Sequence, residues 1–175
     1  IYVSAAFSNQ CKKLVHGENI ILSGDAAYVV DGVTKNDLAL SGQYTLKAGE
    51  TLTVYGTLSL LPNATLSVQN DAKLLVVGDI RADSASVSVE SGGSVYVQGH
   101  SISKSGTWRV DGSIRMDEYL DSSSDAWNIG GDVTVKEDTK ITSSTVGGNG
   151  VLRMMGDLMV SSGTWNKPNI AFISK

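Results

Sequence analysis

The sequence predicts an all-β fold, a right-handed parallel β-solenoid (β-helix) with three short strands per coil and about seven coils of 19–22 residues. Three observations carry that expectation. The second half repeats every 19 residues, as TWRVDGSIRMDEYLDSSSD from Thr107, AWNIGGDVTVKEDTKITSS from Ala126, TVGGNGVLRMMGDLMVSSG from Thr145 and TWNKPNIAFISK from Thr164. Each unit contains short segments that alternate apolar and polar residues, the period of a strand with one buried face. A unit this small cannot bury a core alone, whereas stacked units share one continuous apolar column. Right-handedness follows from the chirality of parallel crossovers. An antiparallel sandwich also has many short strands, but it gives no reason for equivalent positions to recur at a fixed interval.

Taken in order, residues 1–18 read as an N-terminal cap or irregular lead-in, because the end of a solenoid exposes unpaired strand edges. Residues 19–175 read as the solenoid. Ile20 and Leu22, Tyr28 and Val30, and Leu38 and Leu40 lie on the three columns as one irregular coil. From there a first strand points inward Tyr44 and Leu46, Leu66 and Val68, Val87 and Val89, Trp108 and Val110, and Trp127 and Ile129. A second strand buries Leu52 and Val54, Leu74 and Val76, Val95 and Val97, Ile114 and Met116, and Val133 and Val135, with Leu152 and Ala171 continuing the column. The third is less regular: Leu58 and Leu60, Ile80 and Ala82, Thr139 and Ile141, Leu158 and Val160, with a phase slip near Ile102. The units from Thr65 and Ser86 are longer than 19 residues through insertions at the corners, which are marked by Gly49, Pro62-Asn63, Asn70-Asp71, Gly92-Gly93, Gly130-Gly131 and Gly147 to Gly150. Ile170, Phe172 and Ile173 finish without polar closure, which reads as an array truncated at its C-terminus.

Composition narrows the function. With 41% hydrophobic and 18% charged residues, 19 Gly and 2 Pro in 175 residues, the chain suits a folded domain. Its net charge of −4, with no basic cluster beyond Lys12-Lys13, argues against nucleic acid. One cysteine, Cys11, and two distant histidines, His16 and His100, supply neither a disulfide nor a metal cage. No apolar run of ~18 residues spans a membrane. A P-loop and a G-x-S-x-G elbow are both absent, so no cofactor and no serine nucleophile is expected.

The recurrent step φ-x-G-[TSD]-φ occurs as VYGTL at 54–58, VVGDI at 76–80, VDGSI at 110–114, IGGDV at 129–133 and MMGDL at 154–158. In this the chain resembles the solenoid passengers of bacterial autotransporters and filamentous-haemagglutinin-like adhesins. The resemblance implies a non-enzymatic structural or adhesive segment of a larger bacterial surface or secreted protein, extracellular or cell-surface in location. Its implied partner is a protein or glycan of a host or neighbouring cell. VDGSI also suits a bactofilin, a polymer of such coils, which implies self-association through solenoid ends.

Candidate sites are weighed against their structural meaning. Trp108, Trp127 and Trp165 align as a sugar-binding stripe would, but they occupy a column shared with Leu66, Val87 and Val146, so a core ladder is expected. Tyr96, Arg115, Arg153 and Phe172 fall between inward positions of the second strand and form a candidate ligand face. Asp117-Glu118 is followed 19 residues on by Lys136-Glu137-Asp138, so Glu118 and Glu137 should stack about 5 Å apart. Such a pair raises proton affinity or attracts calcium, and the Asp117/Glu118/Glu137/Asp138 corner supports an alternative reading as a carbohydrate-active β-helix enzyme or phage depolymerase. The commoner meaning is a solvated turn partly neutralised by Lys136. Outward hydroxyls such as Thr45, Ser67 and Ser88 admit O-linked sugars or an ice-binding ladder, although Arg109 and Asn128 interrupt the row. Asn63-Ala64-Thr65 matches an N-glycosylation acceptor.

Overall fold

The computed structural model describes residues 37–166 and 169–174 in full, preceded by the strand backbones of 2–3, 14–16, 20–29 and 32–34. Among the described residues every strand pairing is parallel, and successive coils stack as a β-solenoid with three faces. The second face is, among those residues, a nine-stranded sheet. Seven of its strands run from Thr51–Val54 through Lys73–Val76, Ser94–Val97, Ser113–Met116, Asp132–Val135 and Val151–Met154 to Asn169–Phe172. Among the described residues the first and third faces are one thirteen-stranded sheet, because long strands such as Leu38–Leu46 and Thr139–Gly147 pass through the corner between them. The lead-in expected over 1–18 falls mostly outside the described residues; within it Tyr2–Val3 and Leu14–His16 pair with Ile20–Val29 and Gly32–Thr34.

Alternation places the core. All the first- and second-strand pairs from Tyr44 to Val135 are buried, and so are Leu152 and Met154. A fully buried Leu or Val is worth about 1.5–3 kcal/mol, so the cohesion of the coils lies in these columns and in the backbone hydrogen bonds between rungs.

Four expectations need correction. Ile20–Leu22 is in register with Leu38–Leu40, and Tyr28 with Tyr44, so Ile20 and Leu22 lie on the same column as Leu38 and Leu40 rather than on a separate one. There is no phase slip at Ile102: Ser101 and Ser103 are the buried pair and Ile102 lies between them in register with Arg81 and Asp121. The last second-face step is 18 residues, not 19, since Leu152 pairs with Ile170. Ala171 therefore joins the outward row of Arg153, while Phe172 continues the inward column of Met154. Phe172 is nonetheless 68% exposed, since no rung among the described residues covers it. Finally, the φ-x-G steps mark two corners. VYGTL, VVGDI and MMGDL turn from second to third face, and VDGSI and IGGDV from first to second.

The shortening from 21 to 19 residues has a definite place. In early coils the first-to-second corner is a four-residue turn, closed by Glu50 N–H to Lys47 O at 2.9 Å, Ala72 N–H to Gln69 O at 3.0 Å and Gly93 N–H to Glu90 O at 2.9 Å. In later coils only Asp111-Gly112 or Gly130-Gly131 remains. A Cβ on Gly112, Gly131 or Gly150 would overlap carbonyl oxygens of the preceding rung, so the tight corner requires glycine for close approach rather than for φ.

Candidate binding faces and the polar interior

The second-face candidates form a row in register, Leu75, Tyr96, Arg115, Thr134, Arg153 and Ala171. The Arg115 guanidinium carbon lies 4.8 Å above the Tyr96 ring centroid. Both side chains converge on Asp117: Tyr96 O–H donates to Oδ2 at 2.5 Å and Arg115 Nε to Oδ1 at 2.9 Å. Lys136, one rung on, places Nζ 2.8 Å from the same Oδ1. Burial pushes the Asp117 carboxyl up, but hydrogen bonds from Lys136, Tyr96 and Arg115 outweigh it and bring the carboxyl from 3.8 to about 2. Arg153 reaches back to Asp132 at 2.6 Å.

The acidic corner thus divides. Asp117 is matched by two cations, and Asp138 Oδ1 accepts the backbone N–H of Asp157 at 2.9 Å. Glu118 and Glu137 each lie two residues beyond the paired Met116 and Val135, at equivalent places on adjacent rungs; Glu118 is exposed and Glu137 half-buried. The carboxyl at the centre of this corner, Asp117, is stabilised as an anion. Asp138 also belongs to a structural series at the second-to-third corner. Asp37 accepts from Thr57 N–H at 2.7 Å, and Asp79 from His100 N–H at 3.0 Å with the His100 ring at 3.2 Å. The His100 ring packs on Tyr119 with centroids 4.4 Å apart. Among the described residues no group of three or more His, Cys, Asp and Glu side chains is arranged to hold a metal, and no helix is long and apolar enough to cross a membrane.

Trp108 and Trp127 point inward, 2% and 5% exposed, with rings stacked 4.6 Å apart at 7°. Trp165 follows in register after Val146 and is half-buried against the core. A buried indole must place its N–H, and each does so on a serine five residues earlier. Trp108 Nε1 donates to Ser103 Oγ at 2.8 Å and Trp127 Nε1 to Ser122 Oγ at 2.9 Å. Ser122 Oγ in turn donates to Asp125 Oδ2 at 2.6 Å, and Gly106 N–H donates to Asp125 Oδ1 at 2.6 Å. Asp125 N–H donates to Ser144 Oγ at 3.0 Å. Burial raises the Asp125 carboxyl above its ordinary range despite these donors. Sequence reasoning missed Ser103, Ser122, Asp125 and Ser144. The signal was there as Ser-x-x-x-x-Trp, present twice at one coil's spacing.

The first face differs in chemistry. One outward row is Thr65, Ser86, Thr107, Ala126, Thr145 and Thr164; the other is Ser67, Ser88, Arg109, Asn128, Gly147 and Asn166. Arg109 is the single ion in the two rows, and it is paired with Asp111 at 2.8 Å. At Ala126 and Gly147 the face dips into a shallow trough of about 340 Å³ bounded by Thr107, Asn128, Thr145 and Asn166, with Trp127 among its lining residues.

Comparison with known proteins adds no relative: no family model, no curated protein and no solved structure matches the chain.

Proposed function

We propose that this chain is a non-enzymatic structural and adhesive segment of a larger bacterial surface or secreted protein. Its coils act as a rigid spacer and a lateral face contacts a glycan or protein on a host or neighbouring cell. The observation that carries this reading is the parallel stacking of the described coils, with rows of outward side chains along the rod. The φ-x-G-[TSD]-φ steps, in their resemblance to autotransporter and filamentous-haemagglutinin-like passengers, point the same way. The carboxylates of the acidic corner also fit it, since Asp117 and Asp138 serve ion pairing and backbone capping. The row of Tyr96, Arg115 and Arg153 suits a partner less well than its composition suggests, because a ligand would have to displace Asp117 and Asp132 from the two arginines.

The test is attachment without turnover. Fluorescently labelled chain should bind bacterial or animal cell surfaces saturably and release no reducing ends from a panel of bacterial and plant polysaccharides. Turnover abolished by Glu118→Gln with Glu137→Gln would move the assignment to a carbohydrate-active enzyme. The VDGSI corner, in its resemblance to bactofilin coils, favours a second reading, end-to-end self-assembly, which regular filaments in electron micrographs would support.

A further inference from the structure

We infer that the first face, centred on the trough at Ala126 and Gly147, binds an uncharged polysaccharide lying along the solenoid axis. The inference rests on the adhesive reading and deepens it by naming the face and the class of partner. Three features carry it. The trough is bordered by Thr107, Thr145, Asn128 and Asn166, exposed members of the two outward rows whose hydroxyls and carboxamides can each serve a sugar hydroxyl as donor or acceptor. None of these four side chains makes a hydrogen bond or ion pair within the described residues, whereas Tyr96, Arg115, Asp117 and Lys136 on the second face are already engaged with one another. The lining, to which Ala126, Trp127, Gly147 and Gly148 also contribute, is mostly apolar, which suits the C–H face of a sugar ring.

Charge decides among ligands. The second and third faces carry Arg115, Asp132, Arg153, Arg81, Asp121 and Lys140. The first-face rows carry only Arg109, which is neutralised by Asp111. Among the described residues an acidic glycan or a phosphate would meet no free cation here. A protein partner would need an interface of roughly 1,000 Å² or more anchored by aromatic or Arg side chains, and these rows expose no aromatic. An open trough cannot enclose a small molecule, but equivalent groups recurring every ~4.8 Å along the axis can follow a polymer. Asn128, Gly147 and Asn166 also break the hydroxyl regularity that an ice lattice would require.

The experiment is affinity electrophoresis of the whole 175-residue chain in gels containing neutral glucans, mannans or galactans, alongside cell attachment. Ala126→Arg fills the trough with an exposed side chain, Asn128→Ala removes a wall carboxamide, and Arg81→Ala on the third face serves as control. Unchanged denaturation midpoints establish that each variant is folded. The expected result is retardation by at least one neutral glycan, weakened about tenfold or more by Ala126→Arg and Asn128→Ala and unaffected by Arg81→Ala. Cell attachment that survives both first-face variants, or that is lost instead with Arg115→Ala, would overturn the site while leaving the adhesive reading standing. Absence of both cell attachment and glycan retardation would overturn the two together.

Discussion

Ser122 serves two buried groups with one hydroxyl, accepting the Trp127 indole N–H and donating to the Asp125 carboxylate. Removing it leaves both partners buried and short of a bond, and an orphaned buried group costs about 1–3 kcal/mol. Ser122→Ala should therefore lower stability by about that much in denaturant titration, and by clearly less in a Trp127→Phe background, where no indole N–H remains to be satisfied. Equal losses in the two backgrounds would show that the Ser–Trp bond is energetically idle. Elsewhere the interior is less well served: Ser101 Oγ and Thr139 Oγ1, on either side of Leu120 in the same column, are buried without a partner. These hydroxyls explain why the third strand was the hardest to read. Hydrophobicity marked Ile102 as the inward residue, whereas backbone register fixes Ser101 and Ser103 there, and the Trp108 N–H gives Ser103 a reason to be inside.

Among elements, the corners rather than the strands set the length of each coil. The columns of the first and second faces were legible from alternation alone, because a four-residue strand with two buried positions leaves no other register. The corners were legible as turn residues but not in their mechanics. Sequence marks a glycine without saying whether it is needed for φ or for space. Gly49 has φ of 79° and open surroundings, whereas Gly131 sits against the Gly112 carbonyl of the previous rung. Gly49→Ala should accordingly cost about 1–2 kcal/mol of backbone strain. Gly131→Ala should cost more, since neither backbone can withdraw without parting the rungs. Thermal and denaturant unfolding of the two variants would test this, and the reverse order would refute the close-approach account. The misplacement of Ala171 and Phe172 has the same origin: one residue fewer before the last second-face strand exchanges inward and outward positions.

For the whole molecule, acidity should act in two opposing directions. Asp117 and Asp79 are held below their ordinary range in the folded chain. For Asp79, burial pushes upward and is outweighed by the His100 backbone N–H, the His100 ring and Arg81. Stability from these two groups is present above their unfolded values of about 3.9 and is lost as pH falls through the folded ones, for Asp117 toward about 2. Asp125 is raised by burial, so its contribution is complete below about pH 3.9 and declines as pH rises through its folded value. Unfolding measured from pH 3 to 8 should show wild type losing stability relative to Asp125→Asn as pH rises above about 4. A constant difference between the two proteins would mean that Asp125 is not perturbed. In the acidic corner, read from sequence as a solvated turn partly neutralised by Lys136 or as a stacked carboxylate pair, Lys136 of the next rung lies 2.8 Å from Asp117.

The paired indoles have a further consequence. Two chromophores 4.6 Å apart and within 7° of parallel couple their transition dipoles, so absorption of ultraviolet light is shared between Trp108 and Trp127. Dichroism from that coupling belongs to two neighbouring rungs and disappears when they part, which gives the rod a built-in optical gauge of local melting in its middle, independent of fraying at either end.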